Sequence, residues 1–320
     1  MLIECVPNFS EGRQRGVLDD IAAALDSVPG ARVLDVDPDA GVHRTVMTVI
    51  GAPEAVLEAM FRGAREAVRL IDMRRHHGAH PRMGAADVVP FVPWSGVEMG
   101  AVVELARRFG ARVGTELGLP GWYYGEAATL PARRLLHAVR RGEWEGLEAK
   151  FQRWTSDFGP QQPHPSAGAS AVGARGVLVA FNVNLRAEGD AVAVARRVAA
   201  SLRELGEPGR PALPALRAIG WYSELHHTAQ VSMNLVDWRV TPPHVAYEAV
   251  RAAAESLGAT VAGSELVGMI PREPLLLAGA FYARAGEDPV QAAIRGLGLN
   301  SVKDFDPRRK TIEWALEADT

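Results

Sequence analysis

Three consecutive stretches decide the fold: Arg44-Thr45-Val46-Met47-Thr48-Val49-Ile50, the run from Pro53 to Ile71, and Asp87-Val88-Val89-Pro90-Phe91-Val92. The first and third are rich in β-branched and aromatic residues, which suit a pleated, half-buried surface. Between them, Val56, Leu57, Met60, Phe61, Ala64, Val68 and Ile71 recur at helical spacing, so one stripe of an α-helix is apolar. Working outward, Leu2 to Val6 reads as a strand, Asp19 to Leu25 as a helix and Arg32 to Val36 as a strand. The order is βαββαβ. It recurs with a strand at Val177 to Leu185, a helix from Asp190 to Gly206, strands at Ala218 to Tyr222 and Ala229 to Val236, a helix from Val245 to Leu257, and a strand from Thr260 to Val267.

The repeat predicts an α+β protein of two tandem ferredoxin-like units, residues 1–176 and 177–320. Side chains alternate along a strand, so Glu4, Val6 and Asn8 share a face, as do Val33, Asp35 and Asp37, and Arg44 shares one with Thr48. Asn182 and Asn184 share another, as do Gln230, Ser232 and Asn234. Helices are expected on one side of each sheet only. The polar sides are then expected to oppose each other across a groove.

The two units differ at one place. Gly258 leads almost directly from helix to strand, whereas residues 72 to 86 intervene in the first unit. A fold that closes without those residues does not need them for its topology, and long ordered loops in compact domains are usually functional. The insertion holds His76-His77-Gly78-Ala79-His80-Pro81-Arg82-Met83-Gly84. Histidine, with an ordinary pKa of about 6.5, can take and return a proton near neutrality. Pro81 holds the residue before it in extended backbone.

Composition bounds the remainder. At 320 residues with a formal net charge of -3, the chain has no electrostatic footprint for nucleic acid or an anionic membrane. Glu4 and Pro7 stand where a signal peptide needs a basic and then an apolar run, so a cytoplasmic location is expected, with no membrane partner. The single Cys5 lies in an apolar strand and is expected to be a buried, inert thiol.

Several ordered stretches together resemble the glutamate formimidoyltransferase family. They are Glu4-Cys5-Val6-Pro7-Asn8-Phe9-Ser10-Glu11-Gly12, Leu34-Asp35-Val36-Asp37, Arg44-Thr45-Val46, Gly78-Ala79-His80-Pro81-Arg82-Met83-Gly84, Tyr124-Gly125-Glu126-Ala127 and Asp157-Phe158-Gly159-Pro160. Gly220-Trp221-Tyr222 and Gly263-Ser264-Glu265-Leu266-Val267-Gly268 continue the likeness in the second unit. The resemblance implies transfer of a formimidoyl group between tetrahydrofolate and L-glutamate in histidine degradation, by a homodimer. It places the catalytic histidine on His80. Its folate-binding segment falls on Gly159, Pro160, Gln161, Gln162, Pro163, His164, Pro165, Ser166, Ala167 and Gly168. At His43 the chain departs from the asparagine common in the family. Because the chain ends at Thr320, it resembles the stand-alone transferase without the helical cyclodeaminase domain.

The chemistry asks for such residues. Glutamate's amino group is largely an ammonium near neutrality, so a base must deprotonate it before attack, and the resulting imidazolium can protonate the departing nitrogen. Asp37 is the candidate to orient the imidazole or to stabilise the cationic formimidoyl carbon. Arg44 and Arg82 are the candidates for holding carboxylates through paired hydrogen bonds. The run Arg133, Arg134, Arg140 and Arg141 is expected on an exposed helix face.

Two other classes compete. His76, His77 and His80, or His226 and His227, could hold zinc for a hydrolase, but Gly78 and Pro81 oppose the helix that would align the first set, so no metal is expected. Ferredoxin-like sheets can bind RNA through aromatics on their open face. The Asn, Gln, Ser and Asp on these faces disfavour stacking.

Overall fold

The computed structural model describes residues 1–78, 80–203 and 213–318, and the chain divides into two units, Met1–Gly176 and Val177–Thr320. Both are α+β, each with its own sheet.

Unit one begins with β1 (Leu2–Cys5) and β2 (Asn8–Phe9), followed by α1 (Arg15–Asp26), β3 (Ala31–Asp39), β4 (Arg44–Gly51) and α2 (Pro53–Leu70). It continues with β5 (Ala86–Ser95), α3 (Met99–Glu116), β6 (Gly121–Gly125), α4 (Leu136–Arg140), α5 (Leu147–Phe151) and β7 (Ser170–Ala174). β1 and β2 both pair antiparallel with β4 on one side and β5 on the other, so they are two halves of one strand interrupted at Pro7. The interruption follows from proline's missing N–H. With β3 on the far side of β4, the four repeat strands lie in the order 2-3-1-4, and β7 and then β6 extend the sheet in parallel beyond β5.

Unit two comprises β8 (Val179–Ala187), α6 (Ala191–Leu202), β9 (Leu216–Ser223), β10 (Thr228–Leu235), α7 (Pro243–Glu255) and β11 (Ala259–Val267). Four helices follow: α8 (Arg272–Tyr282), α9 (Pro289–Leu297), α10 (Pro307–Lys310) and α11 (Ile312–Glu317). Its sheet order, β11-β8-β10-β9, places the repeat strands 4-1-3-2, the same sequence read from the other edge. The helix expected to end at Gly206 is helical to Leu202, and Gly206 lies outside the described residues.

The helical stripes form the cores. Val56, Leu57, Met60, Phe61 and Ala64 of α2 and Leu18, Ile21 and Leu25 of α1 pack against Ile3, Cys5, Met47, Val49 and Phe91. Burying a side chain of this size contributes roughly 1.5–3 kcal/mol. Cys5 is fully buried and its thiol is pushed well up by burial, in keeping with an inert role. No helix of the described residues is long and apolar enough to cross a membrane.

One expectation requires correction. In unit one the helices do not stay on one side of the sheet: Val139 and Leu147, from α4 and α5, pack with Trp122, Tyr124, Val88 and Ala171 on the second face. The cover exists because β6 and β7 widen the sheet. Neither strand shows in the βαββαβ repeat. At the other end of that face stand polar side chains, since the pairings Glu4–Ile50, Asp35–Thr48, Asp37–Val46 and Asp39–Arg44 put these residues on one side.

Candidate functional site

The histidine loop is fastened at both ends. Asp72 accepts a hydrogen bond from the Arg74 N–H and caps a single 3-10 turn at Met73–Arg75. The Met73 N–H donates to the Ser166 carbonyl, and the Ala85 N–H to that of Ala167. Gly78 approaches β4's entry so closely that a Cβ there would meet the Val42 carbonyl oxygen at 2.2 Å, and a Cβ on Gly84 would meet that of Ala169 at 2.1 Å. Only glycine permits both approaches.

His80 is partly buried, and its ring has a definite polarity. Nδ1 lies 2.8 Å from the Pro81 carbonyl oxygen, which can only accept, so Nδ1 carries the proton and Nε2 the lone pair. Nη1 of Arg44 stands 2.7 Å from Nε2 and 2.9 Å from Nδ1, so the guanidinium lies against the ring near both nitrogens. Burial holds the imidazole well below its ordinary pKa, and the Arg44 and Arg140 guanidiniums add to the shift, against the opposing bond to Pro81. The ring is therefore neutral near pH 7. Arg44 is itself pushed down to about 10 by burial and by Arg140, with Asp87 and Asp39 acting in the other direction.

Asp37 stands on β3 opposite Val46, on Arg44's side of the sheet and diagonal to it. The His80 ring touches the Arg44 guanidinium and the Pro81 carbonyl. Arg82 is placed differently from expectation. Its guanidinium, 6% exposed as a residue, donates to Glu145 at 2.6 and 2.8 Å, to Glu143 at 3.1 Å and to the His76 carbonyl at 3.2 Å. It fastens the loop to the turn between α4 and α5.

His43 and His76 form a second support. Their rings stack with centroids 4.2 Å apart, His43 lies 3.1 Å from Glu11 through Nε2, and Nε2 of His76 is 2.8 Å from the His43 carbonyl. His76 is lowered from its ordinary value, mainly by burial. Glu11 lies below the usual carboxylate range: burial would raise it, but the N–H groups of Gln14 and Arg13 and the His43 ring outweigh that. Among the described residues no three His, Cys, Asp or Glu side chains converge as metal ligands.

The segment Gly159–Gly168 meets this loop at one end. Ala167 and Gly168 are buried, with Gly168 bridging Gly84 and His164. Nδ1 of His164 accepts from the Ala167 N–H at 3.0 Å. Gly159, Pro160, Gln161, Gln162 and Pro165 are exposed, Pro163, His164 and Ser166 partly so, and the Gln161 side chain folds back onto Ser156.

The arginine run also departs from expectation. Arg134 and Arg141 are exposed, but Arg133 and Arg140 are 5% and 8% exposed because each is drawn inward by a carboxylate, Arg133 by Asp157 and Arg140 by Asp87. Nη2 of Arg140 is 2.6 Å from Oδ2 of Asp87, whose Oδ1 accepts the Met83 N–H at 2.8 Å. In unit two, Asn182, Asn184 and Gln230 share a buried network with Glu265, which His226 and Lys303 approach at 3.2 and 3.4 Å. A cavity of ≈ 340 Å³ opens beside Asn184, His226 and Ser301. Arg140 and Asp87 meet across 53 residues of chain, so no local pattern in the sequence shows their pairing.

The loop inserted in this α+β unit thus sets a neutral imidazole beside the Arg44 guanidinium. Comparison with known proteins identifies the family. Residues 2–175 match the formiminotransferase domain, N-terminal subdomain, and residues 180–317 the formiminotransferase domain; the chain belongs to this family. It is 40% identical to the glutamate formimidoyltransferase of Thermoplasma acidophilum, over 88% of this chain and 92% of that protein. The enzyme of the same name from Streptococcus pyogenes serotype M1 is 37% identical, with 98% and 97% covered. The formimidoyltransferase-cyclodeaminase of Rattus norvegicus is 45% identical over 98% of this chain, which spans 60% of that protein's length.

Proposed function

We propose that the chain is a glutamate formimidoyltransferase, exchanging the formimidoyl group between 5-formimidoyltetrahydrofolate and L-glutamate in histidine degradation. The observation that carries this reading is the neutral His80, its ring against Arg44, on a loop tied to the Gly159–Gly168 segment. Tetrahydrofolate supplies the bound one-carbon group and is a co-substrate. His80 takes a proton from the glutamate ammonium at Nε2. The free amine then forms the new C–N bond, and the imidazolium returns the proton to the folate nitrogen as the old C–N bond breaks.

Asp37 would steady the cationic carbon, Arg44 would bind a carboxylate, and Arg82 would contribute by holding the loop while its Glu143 and Glu145 partners keep its charge satisfied. The strand orders support two tandem ferredoxin-like units, the first carrying the histidine loop and folate segment. Turnover of 5-formimidoyltetrahydrofolate with L-glutamate tests the activity; no transfer at any glutamate concentration would reject it. A cytoplasmic homodimer fits this reading, the dimer drawing on the family resemblance and on 48% hydrophobic content. Sedimentation should give about twice the mass of one chain, and a monomer at micromolar concentration would refute the dimer.

A further inference from the structure

Charged groups of both signs surround the His80 loop: Glu4, Asp35 and Asp37 stand on Arg44's side of the sheet. Arg44 on β4 touches the His80 ring, Arg140 on α4 is held by Asp87 on β5, and the charges of both guanidiniums shift its titration in the same direction. Of the carboxylates nearby, Asp87 on β5 is bound to Arg140 and to the Met83 N–H. Asp39 on β3, opposite Arg44, accepts the Gly41 and Val42 N–H groups on Oδ1. Tyr124 on β6 lies on the Arg140 side and brings no negative charge near neutrality, its hydroxyl being raised by burial. Arg140 has a donor to spare: its Nε is buried and has no hydrogen-bond partner. Arg44, for its part, lies against the His80 imidazole, its Nη1 2.7 Å from Nε2.

We propose that Arg140 and Arg44 together form the receptor for the α-carboxylate of the acceptor amino acid, and that filling it draws Arg44 away from Nε2 of His80 and uncovers the base. The inference rests on His80 serving as the base in the proposed transfer. Geometry selects the α-carboxylate over the γ-carboxylate. An ammonium that displaces Arg44 at Nε2 carries its own α-carboxylate only two bonds from the nitrogen, beside the displaced guanidinium, whereas the γ-carboxylate is two carbons more distant. An amine without that carboxylate would meet a base still covered by Arg44, so the receptor couples recognition to deprotonation.

The test compares L-glutamate with 4-aminobutyrate, which keeps the amine and the distal carboxylate but lacks the α-carboxylate, in the full-length wild type, Arg140→Met and Arg140→Lys. The wild type should favour glutamate strongly. Arg140→Met should raise KM for glutamate about 10- to 100-fold, the range of one charge-assisted hydrogen-bonded contact, leave the folate KM within about twofold and shrink the discrimination between acceptors. Arg140→Lys should recover part of it. In the wild type the acidic limb of kcat should lie at higher pH than that of kcat/KM, because a bound carboxylate offsets the cations that depress His80 in the free enzyme. Arg140→Met should narrow that gap. Equal losses for both acceptors, or a rise in folate KM matching that for glutamate, would overturn the receptor. Absence of transfer by the wild type would instead reject the transferase reading itself.

Discussion

Replacing His80 with Gln should lower turnover by roughly 10² to 10⁴, the usual contribution of a general base, while folding and folate affinity change little. Glutamine keeps polarity and approximate size but cannot accept a proton at neutral pH. His77 is exposed, so His77→Gln should fall within about twofold of the wild type. His76 bonds the His43 carbonyl and stacks on its ring, so His76→Gln should loosen the loop and cost more than His77→Gln but far less than His80→Gln. Near-normal turnover in His80→Gln would end the general-base assignment. Equal losses at all three histidines, with zinc in the purified protein, would favour a metallohydrolase.

The pH dependence follows from the direction of the His80 shift. Its folded pKa is depressed, so the unfolded chain, near 6.5, binds the proton first as pH falls. The stability linked to this ring is fully present above pH 6.5 and is lost as pH drops from 6.5 through the folded value. Activity shares the sign. The acidic limb of kcat/KM should lie below 6.5 and be absent from residual His80→Gln activity.

How much of this was legible depended on the range of the interactions involved. α2 and β4 could be read because their apolar periods are local, and the histidine loop because one repeat lacks it. Glycines at 78 and 84 were visible, but not the carbonyls of Val42 and Ala169 that demand them. Arg82 and Arg140 show why site roles were harder. Their carboxylate partners lie 61 and 63 residues away for Arg82 and 53 for Arg140, and no local pattern encodes those meetings. An arginine run at helical spacing therefore looked solvent-facing when two of its members were buried. β6 and β7 escaped for a related reason: Ser170-Ala171-Val172-Gly173-Ala174 is nearly devoid of β-branched residues, and β5 and β6 stabilise it from either side.

The second large effect is on stability, at Asp87. This carboxylate is 0% exposed and joins β5 to α4 through Arg140 while holding the Met83 N–H at the end of the histidine loop. Asp87→Ala would leave a buried guanidinium without its counter-ion, beside a second guanidinium at Arg44, and such losses cost about 3–5 kcal/mol. The cost belongs to the abandoned charge more than to the lost bond. Adding Arg140→Met to Asp87→Ala removes that charge and supplies an apolar side chain of similar length, so the double variant should regain a good part of the loss in urea unfolding. A surface pair would behave otherwise, costing about 0–1 kcal/mol and fading with salt. If Asp87→Ala lost under about 1 kcal/mol, or if the two substitutions simply added, the buried pair would not be what anchors α4 beneath the site. Recovered stability without recovered glutamate affinity would then separate the two tasks of Arg140: its pairing with Asp87 builds the site, and its unused donor serves the substrate.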